Sequence, residues 1–263
     1  MPSAKAEDYI KAIYQLRDGE EAVAPSAIAD VLGVTTPTVT ATMKRLAERG
    51  LVTREEYKGT YLTDEGELMA LETIRHHRLL EVFLAERLNY DWTEVHEEAD
   101  RLEHHISERF ETEIAAVLGE PTADPHGAPI PSPDLEPVDD DLAPLSAHAE
   151  GDVVIVERVR DDDPEVLAYL DRAGVVPGAR FEIVEIAPFD MVTLTPLDGS
   201  ESHASDGSDS DTNSNTNTDA DATVDTDAER AEAGEIVSLP KGVAVTVSVR
   251  EASPTGDERV LAD

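Results

Sequence analysis

The sequence predicts an α+β protein with an N-terminal winged helix-turn-helix, a middle of two long helices and a small C-terminal β-barrel. Three observations carry that prediction. Apolar residues recur at helical spacing as far as about Leu118, they alternate with period two from Val153 onward, and a proline-rich stretch from Pro121 to Pro144 separates the two regimes. The 263 residues allow two or three small domains, and 40% hydrophobic residues suffice for a core in each.

The first helix is expected from about Lys5 to Arg17, with Tyr9, Ile13 and Leu16 on one face. Pro25 to Gly33 reads as a short helix closed by its glycine. Thr36 is then placed to N-cap a further helix, with Pro37 in the first helical position and Val39, Met43, Leu46 and Ala47 as its inner stripe. Two short helices joined by a tight glycine turn form a helix-turn-helix, and Leu51 to Leu62, turning near Lys58 and Gly59, supplies a hairpin wing. The outer face of the second helix carries Thr38, Thr40, Ala41, Lys44 and Arg45, led in by Thr35, Thr36 and Pro37. Short hydroxyls and cations of this kind suit phosphates and base edges at a major groove. The alternative is a winged helix used for protein contact alone.

Charge favours the nucleic-acid reading. The chain carries 58 Asp and Glu against 21 Lys and Arg, a formal net charge of −37. Such self-repulsion is tolerable under strong screening, so a salt-accumulating, halophilic cytoplasm is expected. The net charge is −4 over residues 1–70, −15 over 71–150 and −18 over 151–263, and residues 35–62 are locally positive through Lys44, Arg45, Arg49, Arg54 and Lys58. A basic patch in so acidic a chain points to a polyanion such as double-stranded DNA. The absence of Cys excludes disulfides and thiolate metal sites. No apolar run approaches a membrane span, and MPSAKAEDYI has no signal pattern, so a cytoplasmic protein without a membrane partner is expected.

The middle helices are expected at about Asp64 to Leu88 and Thr93 to Leu118. The second has an apolar stripe of Val95, Ala99, Leu102, Ile106, Phe110, Ile114 and Val117 that suits a helical dimer interface. Beside it, His96, Asp100, Glu103 and His104 share one face, and the preceding helix offers His77 and Glu81 one turn apart. Imidazoles and carboxylates so arranged suit a first-row divalent ion; a solvated acidic face is the competing reading. His76 and His105 point elsewhere and are taken as structural.

Strands are expected at Val153 to Val156, Phe181 to Ile186, Met191 to Leu194, Glu235 to Leu239 and Val243 to Val249, with a short helix at Pro164 to Arg172. Between Asp198 and Ala233 only Val224 is a large aliphatic, so that segment is expected to be a disordered insertion in a loop of the barrel.

The succession of winged helix, His77-x-x-x-Glu81, Glu94-Val-His96-Glu-Glu-Ala-Asp100-Arg-Leu-Glu103-His104 and the PHGxPIP stretch at Pro125 to Pro131 resembles the diphtheria toxin repressor and manganese transport regulator family. The resemblance implies a metal-activated, homodimeric repressor that binds a DNA operator. It implies an ancillary ion at His77, Glu81 and His96 and a primary, activating ion at Asp8, Asp100, Glu103 and His104. It also implies Mn²⁺ or Fe²⁺, with Mn²⁺ favoured because Asp8 and Asp100 stand where iron-type members have Met and Cys. Manganese-type members add a carboxylate one turn after Asp8; here that residue is Lys11, which argues against a tight two-manganese cluster. By the same resemblance the barrel is SH3-like, and Asp161, Asp162 and Asp163 fall in a loop that supplies ancillary ligands in some members. The expected boundaries are a DNA-binding domain at 1–64, a metal-binding and dimerisation domain at 65–135, a linker at 136–150, the barrel at 151–250 with its insertion at 198–233, and a tail at 251–263. A dinuclear carboxylate metalloenzyme or metal-storage protein is the alternative function, though such sites need four helices. A DNA-binding protein without metal is the third.

Overall fold

The structure, a computed structural model, describes residues 3–17, 19, 21–55, 58–137, 142–160, 163–187, 190–197 and 236–252. The insertion expected at 198–233, Asp161, Asp162 and the tail beyond residue 252 lie outside the described residues. The chain forms two compact units, Met1–Asp141 and Leu142–Asp263.

In the first unit, α1 (Ala4–Leu16), α2 (Pro25–Val31) and α3 (Thr36–Glu48) close on Tyr9, Ile10, Ile13, Ile28, Val39, Met43 and Leu46. Each such side chain contributes about 1.5–3 kcal/mol when fully removed from water. Strands β1 (Val52–Glu55) and β2 (Gly59–Leu62) pair antiparallel with Val52 opposite Leu62. Thr60 of β2 also exchanges both backbone hydrogen bonds with Val23, at 2.9 and 3.0 Å, which ties the wing to the start of α2. The cap of α3 falls one residue earlier than expected: Thr35 is the extended residue that precedes the helix, and Pro37 stands in its first turn, where no backbone donor is needed.

Helix α4 (Asp64–Leu88) begins at Thr63, whose hydroxyl accepts from Gly66 N at 3.1 Å and donates to Gly50 O at 2.7 Å. It ends at Asn89 in the left-handed region with φ 56°. Gly66 is required by a close approach, since a Cβ there would lie 2.0 Å from the carbonyl oxygen of Leu51.

The single helix expected from Thr93 to Leu118 is two helices, α5 (Val95–Leu102) and α6 (Glu108–Leu118). Ser107 is extended, and its hydroxyl accepts from Phe110 N at 3.3 Å, so a new helix starts there and residues 103–105 form a turn. The apolar stripe divides accordingly. Val95, Ala99 and Ile114 are buried against Leu79, Leu80 and Leu84 of α4, whereas Phe110 and Val117, seven residues apart on α6, are exposed.

The second unit contains β3 (Ala143–Pro144), a 3₁₀ turn (Leu145–Ala147), β4 (Val153–Val159), α7 (Pro164–Arg172), β5 (Arg180–Ala187), β6 (Met191–Pro196), β7 (Val237–Pro240), α8 (Lys241–Ala244) and β8 (Val247–Glu251). Its six strands are ordered β3-β8-β4-β5-β6-β7, all antiparallel. The linker expected at 136–150 is therefore shorter at its C-terminal end. Ala143 pairs with Val249, and Leu145 is 1% exposed, so this segment belongs to the sheet unit. The strand expected at Val243 to Val249 starts only at Val247, because Lys241 to Ala244 take a helical turn that buries Ala244. Leu167, Leu170, Phe181, Ile183, Leu194, Leu239 and Val247 fill the core.

Candidate metal centre and nucleic-acid face

Helix α4 contributes His77 and Glu81, one turn apart and both buried, because α5 packs along this face of α4. His77 Nε2 lies 3.0 Å from Glu81 Oε1, His96 Nδ1 of α5 lies 3.2 Å from the same oxygen, and the two rings meet edge-on with nitrogens 3.0 Å apart. The three residues expected at the ancillary position are thus in mutual contact. Spacings near 3 Å are those of neighbouring donors on one ion with arms of about 2.1 Å, and the donor set is entirely imidazole and carboxylate.

The residues expected at the primary position divide. Asp8 Oδ1 of α1 lies 2.8 Å from His104 Nε2, which is 3.4 Å from Glu103 Oε1, so Asp8, Glu103 and His104 form one group. Asp100 is grouped instead with His77 and His96, its Oδ1 3.3 Å from His77 Nδ1 and its Oδ2 3.7 Å from His96 Nε2. The turn after α5 explains the division: Glu103 and His104 leave the helix that holds Asp100. The two groups are continuous nonetheless, since His77 Nδ1 and Glu103 Oε2 are 2.6 Å apart.

Lys11 lies at this junction. Its ammonium donates to Glu103 Oε2 at 2.8 Å and Asp100 Oδ1 at 3.0 Å, and stands 3.1 Å from His77 Nδ1. Burial opposes its charge, but Glu103 and Asp100 raise its pKa above the ordinary lysine value. For His77, burial and Lys11 oppose protonation, and Glu81 and Glu103 outweigh them, raising its pKa to about 9. Burial works against ionisation of Asp100 and Glu103, yet their pKa values are lowered, through Lys11 and the neighbouring imidazoles for Asp100 and through His77 and Lys11 for Glu103. Asp8 is shifted the other way, raised chiefly by burial against the pull of His104.

Three contributors escaped the sequence reading. Glu7 Oε2 lies 2.7 Å from His104 Nδ1; adjacency to Asp8 was its only signal. Asp124 and His126, in the PHGxPIP stretch, are buried beside Glu81, with His126 Nδ1 3.9 Å from Glu81 Oε1. Asp124 Oδ1 accepts from the backbone of His126 and Ala128 at 2.9 Å each, and His126 Nε2 lies 2.8 Å from Trp92 O. His76, taken as structural, has both ring nitrogens engaged: its Nδ1 lies 3.2 Å from the Glu103 carbonyl oxygen and its Nε2 3.1 Å from Glu111 Oε2. Asp163, one of three candidate loop ligands, caps α7 by accepting from Glu165 N at 3.0 Å and Val166 N at 3.3 Å.

On the nucleic-acid face, Thr35, Thr36, Pro37, Thr40, Lys44, Arg45 and Lys58 are exposed and Thr38 is half-buried. Thr35 and Thr38 share a 2.9 Å hydroxyl contact, Thr40 donates to Thr36 O at 3.0 Å, and Arg45 reaches Thr42 Oγ1 at 3.2 Å. Lys58 pairs with Glu55 at 2.7 Å on the wing. Of the inner stripe expected from Val39, Met43, Leu46 and Ala47, the first three are fully buried and Ala47 is half-buried, which turns this hydroxyl and cation row outward.

Comparison with known proteins gives concordant matches along the chain. Residues 1–60 match the family described as "Iron dependent repressor, N-terminal DNA binding domain", residues 63–132 its "metal binding and dimerisation domain", and residues 143–200 the "FeoA domain". The chain is 35% identical over 191 residues to the iron-dependent repressor IdeR of Mycobacterium leprae, covering 67% of this chain and 82% of the relative. It is 32% identical over 190 residues to the diphtheria toxin repressor of Corynebacterium efficiens, covering 68% of this chain and 82% of the relative. Among solved structures, a manganese-dependent transcriptional repressor in complex with manganese superposes with a TM-score of 0.75 at 31% identity, over 94% of this chain and all of the other.

Proposed function

The chain belongs to the iron-dependent repressor family of metal-dependent, DNA-binding transcriptional regulators, and from that premise we propose that it represses metal-uptake genes with Mn²⁺, or else Fe²⁺, as corepressor. The observation that carries the reading is the contact of His104 with Asp8 at 2.8 Å. It joins α1, part of the winged-helix core, to the turn between the two helices that pack on α4.

A bound divalent ion supplies a concentrated positive charge to donors that otherwise repel one another. Asp8, Glu103 and His104 would hold the activating ion, with Asp100 at its boundary, and His77, Glu81 and His96 the ancillary one. Asp124 and His126 extend the ancillary set through Glu81. The residues' own task is positional: Asp8 fixes α1, and with it the helix-turn-helix, against the α5–α6 turn. Oxygen and imidazole donors without thiolate favour Mn²⁺ over softer ions.

The exposed pair Phe110 and Val117 on α6 supports a homodimer, which would present two α3 helices to successive major grooves of a double-stranded operator. Thr35, Thr36, Pro37, Thr38, Thr40, Lys44, Arg45 and Lys58 are the proposed contacts. Among the described residues no helix is long and apolar enough to cross a membrane, in keeping with a cytoplasmic regulator. The test is DNA binding in high KCl after chelation, with each divalent ion restored singly. Retention that is the same with and without every ion would overturn the reading.

A further inference from the structure

Lys11 is on α1, and its side chain is 11% exposed. Its ammonium reaches 89 and 92 residues along the chain to Asp100 and Glu103. The three residues around it are all proposed ligands, Glu103 and Asp100 of the activating ion and His77 of the ancillary one. His77 Nδ1 lies 2.6 Å from Glu103 Oε2 and 3.3 Å from Asp100 Oδ1, so the two ligand sets meet at the ammonium. An ammonium and a divalent ion would draw on the same lone pairs and repel each other at this range. The same site cannot hold both.

We propose that the Lys11 ammonium is a tethered cation that holds the Glu103 and Asp100 carboxylates and has to withdraw before they can hold the activating divalent ion. The inference rests on the metal-regulator reading and adds that ion uptake is an exchange of one cation for another. The burial of Glu103, whose side chain is 2% exposed, gives the ion-free protein a reason to keep a cation there, because removing one partner of a buried pair leaves an uncompensated charge. The helix also provides a landing place. Glu7 lies four residues before Lys11, one turn away on the same face of α1. The exchange thus moves a charge along α1, the helix that also carries Asp8.

Two measurements test this. In the wild-type protein, reductive methylation read by mass spectrometry should leave Lys11 protected under chelation, while Lys5, Lys44, Lys58 and Lys241 react. Saturation with Mn²⁺ should raise Lys11 labelling about tenfold or more, and continued protection in the Mn²⁺-saturated protein would overturn the proposal. Lys11→Met, which keeps an apolar stem and removes the charge, should bind Mn²⁺ about tenfold more tightly in a calorimetric titration; equal or weaker binding would overturn it. If Lys11→Met does not fold, Lys11→Gln takes its place and the labelling result decides. A wild-type protein that takes up neither Mn²⁺ nor Fe²⁺ overturns the metal-regulator reading instead. The tethered-cation proposal then stands only if Lys11→Met gains the ion that the wild type lacks.

Discussion

Asp8 and Asp100, two aspartates expected at one ion, keep different company: Asp8 stands with His104, and Asp100 with His77, His96 and Lys11. Asp8→Ala should abolish metal-stimulated DNA binding, checked by gel retardation with and without Mn²⁺, while circular dichroism and the dimer stay unchanged. Asp8→Met, which replaces a hard oxygen with a thioether, should move activation from Mn²⁺ toward Fe²⁺ or Co²⁺. Undiminished metal dependence in Asp8→Ala would make Asp8 an ordinary surface acid. Glu111 offers a separate test through pH. The hydrogen bond from His76 holds its carboxyl below the ordinary value of 4.5, with burial opposing and Arg75, 2.5 Å away, assisting. A carboxyl depressed on folding stabilises above its unfolded pKa and loses that contribution as pH falls through the folded value. Glu111→Gln should therefore cost about 2 kcal/mol near neutrality, with the deficit shrinking below about pH 4.5 in urea melts at constant KCl.

At the scale of elements, sequence legibility followed the punctuation. Helix α4 was readable to the residue because Thr63 caps it and the pattern stops before Asn89, and α7 because Pro164 opens it. The break between α5 and α6 was hidden by Leu102 and Ile106, which continue the apolar stripe across the turn and mask Ser107 as a cap. Val243 and Ala244 looked like the start of a strand because Val243 and Val245 are β-branched; packing of Ala244 overrode that propensity. In the candidate site His77, Glu81, His96 and Asp100 were legible from their helical spacing and Asp8 only from the family resemblance, whereas the contacts of Lys11, Glu7, Asp124 and His126 join distant segments that no local pattern encodes. Two outcomes follow from the elements themselves. Gly66→Ala forces a methyl toward Leu51 O and should cost about 1–3 kcal/mol by chemical denaturation; an unchanged midpoint would show that α4 shifts freely. Deleting residues 200–232 should leave the barrel folded, because β6 and β7 pair directly with Leu194 opposite Val237, so a short loop can join them. Loss of the barrel's near-ultraviolet dichroism on deletion would show that the segment is structural.

For the molecule as a whole, the acid is concentrated away from the DNA-reading end, at −4 over residues 1–70 against −33 over the remainder. Ordinary operator binding weakens steeply with salt because counterion release drives it. Here repulsion between a chain of −37 and the duplex should dominate at low salt, so affinity should stay flat or rise as KCl approaches molar levels. A steep negative slope in fluorescence anisotropy across that range, with the fold intact, would refute this.

The wide sequence separation within the ion site reaches into how the protein is made. Asp8 and His104 lie at opposite ends of a stretch of the chain that includes the helix-turn-helix and the wing, and Glu7 is separated from His104 by 97 positions. A nascent chain that has emerged only through α4 has a complete winged helix and only Asp8, His77 and Glu81 of the ligands. The corepressor therefore cannot act until synthesis has passed His104 and the chain between has closed into its loop. Ion binding is then linked to completion of the fold, and a free ion at about one hundred times its dissociation constant should add about 2.7 kcal/mol to the unfolding free energy of the finished protein. A protein truncated after Leu88 should receive none of that increment.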